Sequence, residues 1–375
     1  MTTPIASPFV KLSEGSFSPH SNEEYPTSAT LGAEVRLRPF QELSQHNWDW
    51  NAKGLLQNNI ERSGLLFASL NDGMDVHKEY YDRCFSVRFI QNEPGTPLKM
   101  VMLTRITANS QSINNAGENC WHEMLSIHHY DYTFSPISSE EDMLEKTGQS
   151  WLSDRSKPVS VSILYPTVGI LNESSKDSKH SLPIIGKWSP TPTSLENAWR
   201  ALNNYPCPVM MDVLLKATFL RPDELIAYDN LLDDLKNIAD GSGSVATRAQ
   251  AGQWLDMMKN RISKFASVYM MQVRLATAGD MLSYLPRAIG TALTYQNTFD
   301  QNMPFQGFNV ISRRGIDAGD WALRIAELAF IDLDIVLPPQ LKNFPFYATS
   351  TEAVSASRFI FTPKGGIPNL LVEEP

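Results

Sequence analysis

The residues best suited to catalysis or metal binding lie in the segment WHEMLSIHH, which contains His122, Glu123 and His128. Zinc peptidases of the HExxH type place two histidines four positions apart, so that both face one side of a helix. Here the second histidine follows six positions after the first. That spacing rotates it by about 120° on a regular helix, so the two cannot share one zinc ion. The segment therefore predicts a structural helix, and we assign no metal ligand.

The three cysteines, Cys84, Cys120 and Cys207, are the other candidates for chemistry. A cysteine nucleophile needs a neighbouring base that favours the thiolate. All three lie in apolar segments, which favours buried thiols. No CxxC pair occurs and the count is odd, so the sequence predicts a reducing, cytoplasmic setting. A hydrolase that uses His122, Glu123 or a cysteine is the least favoured functional hypothesis.

Motifs for nucleotide binding are missing from the sequence. No GxxxxGK[ST] loop occurs, and no GxGxxG follows a strand-like segment. Hydrolysis of a nucleotide by a P-loop mechanism is therefore not expected of this chain. The segment LAFIDLD resembles a Walker B strand that runs into Asp332, but without a P-loop it predicts a buried strand. We assign no catalytic residue, no cofactor and no metal.

A small set of arginines and tryptophans could contact a partner or phosphate groups. Arginines bind phosphate oxygens, and the tryptophans of the loop-like segment NWDWN could anchor a partner or close the core. The net charge of −9 and the pI of about 5.3 argue against non-specific DNA binding over the whole surface. The candidates are Arg36, Arg38, Trp48, Trp50, Arg313 and Arg314.

The elements that position these residues follow from hydrophobic periodicity. The predicted organisation is a flexible arm (1–30), a first α/β block (31–150), a connecting region (151–205), a second α/β block (206–300) and a strand-rich segment (301–375). The last segment contains the candidate strands GFNVISRR, LAFIDLDIVLP and SRFIFTP. Both blocks resemble a split βαβ layout, so we predict an α+β (mixed α/β) fold with two ferredoxin-like split βαβ blocks and flanking strand-rich segments.

These blocks resemble the region that precedes the motor in HerA/FtsK-superfamily ATPases, including conjugation-type motors and HerA-like helicases. The second block carries the resemblance best, through a strand with VRLATAGD and a helix with LPRAIGTAL. The terminal segment SASRFIFTPKGGIPNLLVEEP resembles the strand and loop that lead into the nucleotide-binding core of such proteins. The motor itself has no counterpart in this sequence.

The resemblance implies a non-catalytic role in assembly and partner docking. It implies a homo-oligomer, an ATPase motor in cis or in trans, a nuclease or other effector as partner, and DNA reached through the assembly, with anti-phage defence as one setting. The alternative is a stand-alone scaffold or binding protein of a phage or defence complex. The sequence has no signal peptide and no run of about 20 apolar residues, so we expect no membrane contact.

Overall fold

The computed structural model describes residues 10–14, 27–38, 54, 56–66, 82–108, 113–126, 131–154, 156–174, 179–188, 194–203, 205–241, 244–259, 268–294 and 307–361. Within these residues, ten strands form one sheet in which every pairing is antiparallel, and two further strands form a separate hairpin. The predicted α+β fold class is confirmed. No helix among these residues is both long and apolar enough to cross a bilayer.

The first half of the sheet is one ferredoxin-like unit. Its central strands stand in the order β5-β2-β4-β3, and each of its two helical crossovers passes over one intervening strand. A short strand, β1, pairs with the start of β2 beside β5. The elements are β1 (Lys11–Glu14), β2 (Thr27–Leu37), α1 (56–66), β3 (Asp82–Gln91), β4 (Lys99–Ala108), α2 (Ile113–Ser126) and β5 (Tyr132–Pro136).

The second half repeats the same order with insertions, as β11-β6-β10-β9. Two short helices, α3 (Glu140–Lys146) and α4 (Gln149–Leu152), connect the units. The second unit comprises β6 (Val159–Pro166), an inserted hairpin of β7 (Val168–Ser174) and β8 (Lys179–Ile185), α5 (Ser194–Asn203), β9 (Val209–Thr218), two inserted helices α6 (Pro222–Asp240) and α7 (Val245–Lys259), β10 (Val268–Ala278), α8 (Tyr284–Thr294) and β11 (Phe308–Arg314).

The two units share one continuous sheet because β3 pairs with β9, where Val87 lies opposite Val213. The second unit begins at β6 and ends at β11, and both strands lie outside the predicted block of residues 206–300. Three further elements follow β11 and pack onto the sheet: α9 (Gly319–Ala326), β12 (Tyr347–Ala348) and α10 (Ser350–Ser357).

Both faces of the sheet are buried. Along β9, Met211, Val213 and Leu215 face a core shared with α1, α2, α5, α8 and α10. Their neighbours Met210 and Leu214 face a second core that includes α3, α4, α9 and the chain that follows α9. This arrangement explains why β9 is mostly apolar on both of its faces, with Asp212 as the buried exception. A smaller core joins α6 and α7 to the β7–β8 hairpin.

Of the three strands predicted in the last segment, one is a strand in the structure. GFNVISRR is a strand, β11, as predicted. LAFIDLDIVLP is not a strand, because side chains take the place of a neighbouring strand: the Gln272 amide bonds both the N–H and the C=O of Ile331. SRFIFTP is not a strand over residues 357–361, where the chain leaves α10 and buries Phe359 and Phe361.

Part of the predicted flexible arm belongs to the sheet. Residues 11–14 pair with residues 27–30 as β1 and β2. Of the predicted arm over residues 1–30, residues 11–14 and 27–30 therefore form strands, and β2 buries Ala29 in the helical core. The Ser and Thr residues that made the segment look polar are buried in the ladder, as Ser28 and Thr30 show.

Candidate functional site

A cluster of charged residues is fully buried at the centre of the sheet, on the face opposite α2 and α8. Asp212 of β9 lies directly across from Arg88 of β3 on one side and Arg274 of β10 on the other. Its Oδ1 accepts from Arg88 Nε at 2.9 Å, and its Oδ2 accepts from Arg274 Nε at 2.6 Å. The Ser86 hydroxyl also donates to Asp212.

The two guanidiniums outweigh the effect of burial on the aspartate. Burial alone would raise the pKa of Asp212, but the charges of Arg274 and Arg88 hold that pKa below its ordinary value. The side chains of all three charged residues are completely inaccessible. A cluster closed to solvent cannot bind a substrate, so its role is to hold the structure.

The same arginines also donate hydrogen bonds to three backbone carbonyl groups, one between α3 and α4, one in α9 and one just after α9. Arg88 donates to the carbonyls of Thr147 at 2.6 Å and Ile325 at 2.8 Å, and Arg274 donates to the Ala329 carbonyl at 2.6 Å. Leu328, between these anchors, has φ of 52°, which strains a non-glycine residue.

A cavity of about 330 Å³ opens beside Leu328, and we call it the mixed-charge cavity. Its Glu224 is a helix cap: one oxygen accepts from the Arg221 N–H at 2.9 Å and the other from the Tyr347 hydroxyl at 2.9 Å. The charged residues of its lining carry both signs, so it does not select for anions or cations. They are Arg105, Lys216, Arg221, Glu224 and Asp332.

A second cavity, of about 200 Å³, lies where α8 begins against β6 and β11. We call it the serine–arginine cavity. No acidic residue lines it, which distinguishes it from the mixed-charge cavity. Its lining consists of Ser160, Ser162, Met281, Ser283, Pro286, Arg287, Val310, Ser312 and Arg314.

The predicted contact residues do not form one site. Arg36, on β2, binds Glu34 at 2.8 Å, and Arg38 donates to the Tyr132 carbonyl at 3.3 Å. The strand that carries Arg313 and Arg314 lies at the opposite end of the sheet. Trp48 and Trp50 fall outside the described residues.

Arg313 and Arg314 point to opposite faces of the sheet because successive strand residues alternate. The Arg313 guanidinium lies 4.4 Å from the centre of the Trp321 ring, a cation–π contact. Arg314 lines the serine–arginine cavity. The adjacent pair therefore supplies one arginine to packing and one to a cavity.

The histidine and cysteine candidates are not arranged as a reaction centre. His122 is exposed, and Glu123 binds the buried Arg83 at 2.5 Å. Burial raises the pKa of the Cys120 thiol to about 11, and it also raises the pKa of Cys207. Among the described residues, no three His, Cys, Asp or Glu side chains gather in a way that could hold a metal ion.

The outer edge of β11 is open over the described part of the chain, where β11 pairs only with β6. Thr167 N donates to Gly307 O at 3.1 Å, and Phe308 lies opposite Pro166. In an antiparallel ladder hydrogen-bonded and non-bonded pairs alternate, so the N–H groups of residues 308, 310, 312 and 314 point outward. This row of free donors and acceptors is a template for another strand.

Sequence reasoning missed Ser160 and Arg287 as partners of Arg314. Ser160 lies on β6, Arg287 on α8 and Arg314 on β11. These elements are far apart along the chain, and no local motif links them. The available signal was the polar alternation SVS in VSVSILYP, which is unusual for a strand that otherwise reads as buried.

Comparison with known proteins gives a negative result. No known family model matches this chain. No curated protein sequence matches it either.

Proposed function

We propose that this chain is the non-catalytic assembly and partner-docking region of a HerA-like DNA-translocating ATPase. The open edge of β11 is the observation that supports an assembly role most directly. The link to a HerA-like motor depends on the resemblance of the second block, with VRLATAGD in β10 and LPRAIGTAL in α8. The motor, and through it DNA, would be supplied in cis or in trans.

The occupant we propose for the β11 edge is a second copy of this chain. At the other end of the sheet, β1 and β5 pair only with β2 among the described residues, so each copy carries two open edges. Pairing β11 of one copy with the opposite end of the next would extend the sheet from subunit to subunit, and such head-to-tail contacts build a ring where the rotation closes and a filament where it does not.

An exposed apolar side chain beside β11 adds contact area to this edge. Ile316, just after the strand, is 98% exposed. Exposed large apolar residues next to a free strand edge are typical of protein–protein contacts.

The test is the mass of the chain in solution, measured by light scattering after size-exclusion chromatography. Val310→Pro removes an outward N–H and leaves the bonds to β6 intact, which an edge strand tolerates. Val310→Thr keeps the N–H and the branched shape, and is the matched control.

We expect the wild-type chain and Val310→Thr to form the same oligomer and Val310→Pro to be monomeric. A wild-type chain that is monomeric at every concentration tested, or a Val310→Pro chain that assembles as well as the control, would contradict the proposal. Circular dichroism confirms that each variant is folded.

A further inference from the structure

The lining of the serine–arginine cavity is built for a negatively charged ligand. Arg287 and Arg314 are exposed, and neither guanidinium has a hydrogen bond or an ion pair within the described residues. No carboxylate lines the cavity to neutralise them. Two free guanidiniums over one concave surface favour an anion, and guanidiniums match phosphate oxygens in geometry.

Strand register brings serine hydroxyls next to these arginines. Arg314 lies directly across from Ser160, and Ser312 lies across from Ser162. The Ser162 hydroxyl is already used, since it lies 2.8 Å from the Ser312 hydroxyl and 3.1 Å from the Met281 sulfur. These contacts fix the floor of the cavity and leave Ser160 beside Arg314.

The Ser160 hydroxyl is the feature of the cavity that indicates a ligand. The residue is only 3% exposed, it lines the cavity, and its hydroxyl has no hydrogen-bond partner among the described residues. The hydroxyl is therefore available to donate a hydrogen bond to an acceptor bound in the cavity.

The first turn of α8 lies on the other side of the same cavity. Ser283 and Pro286 line it at the start of this helix of 11 residues. The partial positive charge of a helix start favours a phosphate group, although here Pro286 has no N–H and the Leu285 N–H already donates to the Leu282 carbonyl. The helix start, both arginines and Ser160 thus favour the same kind of ligand.

We propose that the serine–arginine cavity is a binding site for a phosphate group, held by Arg287, Arg314 and the Ser160 hydroxyl. The group could belong to free phosphate, a nucleotide or the backbone of a nucleic acid. The site uses side chains on one face of β11, whereas self-association would use the outward backbone groups of the same strand, so phosphate binding does not require self-association.

The test measures binding of inorganic phosphate by calorimetry and of a labelled single-stranded oligodeoxynucleotide by fluorescence anisotropy, at one fixed ionic strength. Arg314→Gln and Arg287→Gln should each weaken phosphate binding by about tenfold, the loss of one charge-assisted hydrogen bond. Ser160→Ala should weaken it less, by about threefold, because a neutral hydroxyl contributes less.

Arg313→Gln is the matched control, because it removes the same charge from the neighbouring residue on the other face. It should leave the affinity unchanged. Displacement of the oligonucleotide by phosphate would identify a nucleic-acid backbone as a ligand. Phosphate binding without oligonucleotide binding would identify a free phosphate or nucleotide.

Two outcomes would overturn the proposal. One is a wild-type chain that binds neither probe. The other is an Arg313→Gln variant that weakens binding as much as Arg314→Gln, which would show a diffuse charge effect and no site. Thermal melts confirm that the exposed arginine substitutions leave the fold intact.

Discussion

At the scale of single residues, Asp212 determines how the centre of the sheet is held. The sequence placed it in the strand VMMDVLLKATFL, between residues of the helical core. A buried acid in such a strand requires a buried cation. The sequence could not name that cation, because Arg88 is 124 positions away and only strand pairing brings it opposite.

Replacing Asp212 with Asn should destabilise the protein by about 3–5 kcal/mol, because Arg88 and Arg274 remain buried without a counter-charge. Urea unfolding at pH 7 measures the free energy of unfolding. Asp234→Asn, the same change at an exposed position of α6, should change it by less than about 0.5 kcal/mol. Equal effects at the two positions would refute this interpretation.

The stabilisation that Asp212 provides should depend on pH in a defined way. The folded-state pKa of Asp212 is lowered, so its stabilisation is fully present above its unfolded pKa of about 3.9. It is lost as pH falls below that value through the folded pKa. The stability difference between wild type and Asp212→Asn should be constant from pH 8 to pH 5 and shrink below about pH 4.

Arg313 and Arg314 show how much of the cavity could be predicted from the sequence. Arg313 and Arg314 were predicted as two contact residues of one kind, and the structure separates them, one on Trp321 and one in a cavity. The period-two alternation of a strand implies this separation. Which of the two faces a cavity could not be predicted, because Ser160 and Arg287 come from other elements.

At the scale of elements, α8 packs unusually close to β11. A Cβ atom at Gly290 would overlap the ring of Phe308, so this helix position requires glycine. Sequence patterns identified the helix that contains LPRAIGTAL, which is α8, Tyr284–Thr294, with Pro286 in its first turn. They did not reveal the close approach, because a lone glycine in a helix carries no information about its neighbour.

Gly290→Ala should lower the free energy of unfolding by about 1–3 kcal/mol, although alanine is the better helix former. Gly252→Ala in α7 is the control, because a Cβ there meets nothing within 4 Å. It should raise stability by up to about 1 kcal/mol. Urea unfolding of both variants provides the comparison, and stabilisation by Gly290→Ala would disprove the close contact.

The segment after α9 marks the limit of periodicity as a guide. LAFIDLDIVLP alternates as a strand does, and Ile331, Leu333 and Ile335 are buried as the alternation predicts. Its backbone partners, however, are the side chains of Gln272 and Arg274. Alternation reports which residues are buried, whereas a strand also needs a second backbone, which a single segment cannot reveal.

At the scale of the whole molecule, two ferredoxin-like blocks were predicted, but the order of their strands and the continuity of the sheet were not. Residues 85–91 of β3 pair with residues 209–215 of β9, so the units share backbone hydrogen bonds and both cores. The sequence could not show this, because each unit is a complete pattern alone and the pairing of their edges has no local signature.

We therefore expect the two units to unfold together. Differential scanning calorimetry of the full chain should give one transition with a calorimetric enthalpy close to the van't Hoff enthalpy. Two resolved transitions, or a calorimetric enthalpy near twice the van't Hoff value, would show that the units are thermodynamically independent despite the shared sheet.

The pairing of β3 with β9 has an evolutionary consequence. These strands hold the same place in their units and run antiparallel, so the two units are related by a pseudo-twofold axis between β3 and β9. Two separate copies of an ancestral single unit would meet across that axis as a symmetric dimer. Gene duplication and fusion would make such a contact permanent, and the two copies could then diverge. Among the described residues, only the second unit carries the β7–β8 hairpin and the α6–α7 pair, and only its last strand, β11, ends in two arginines.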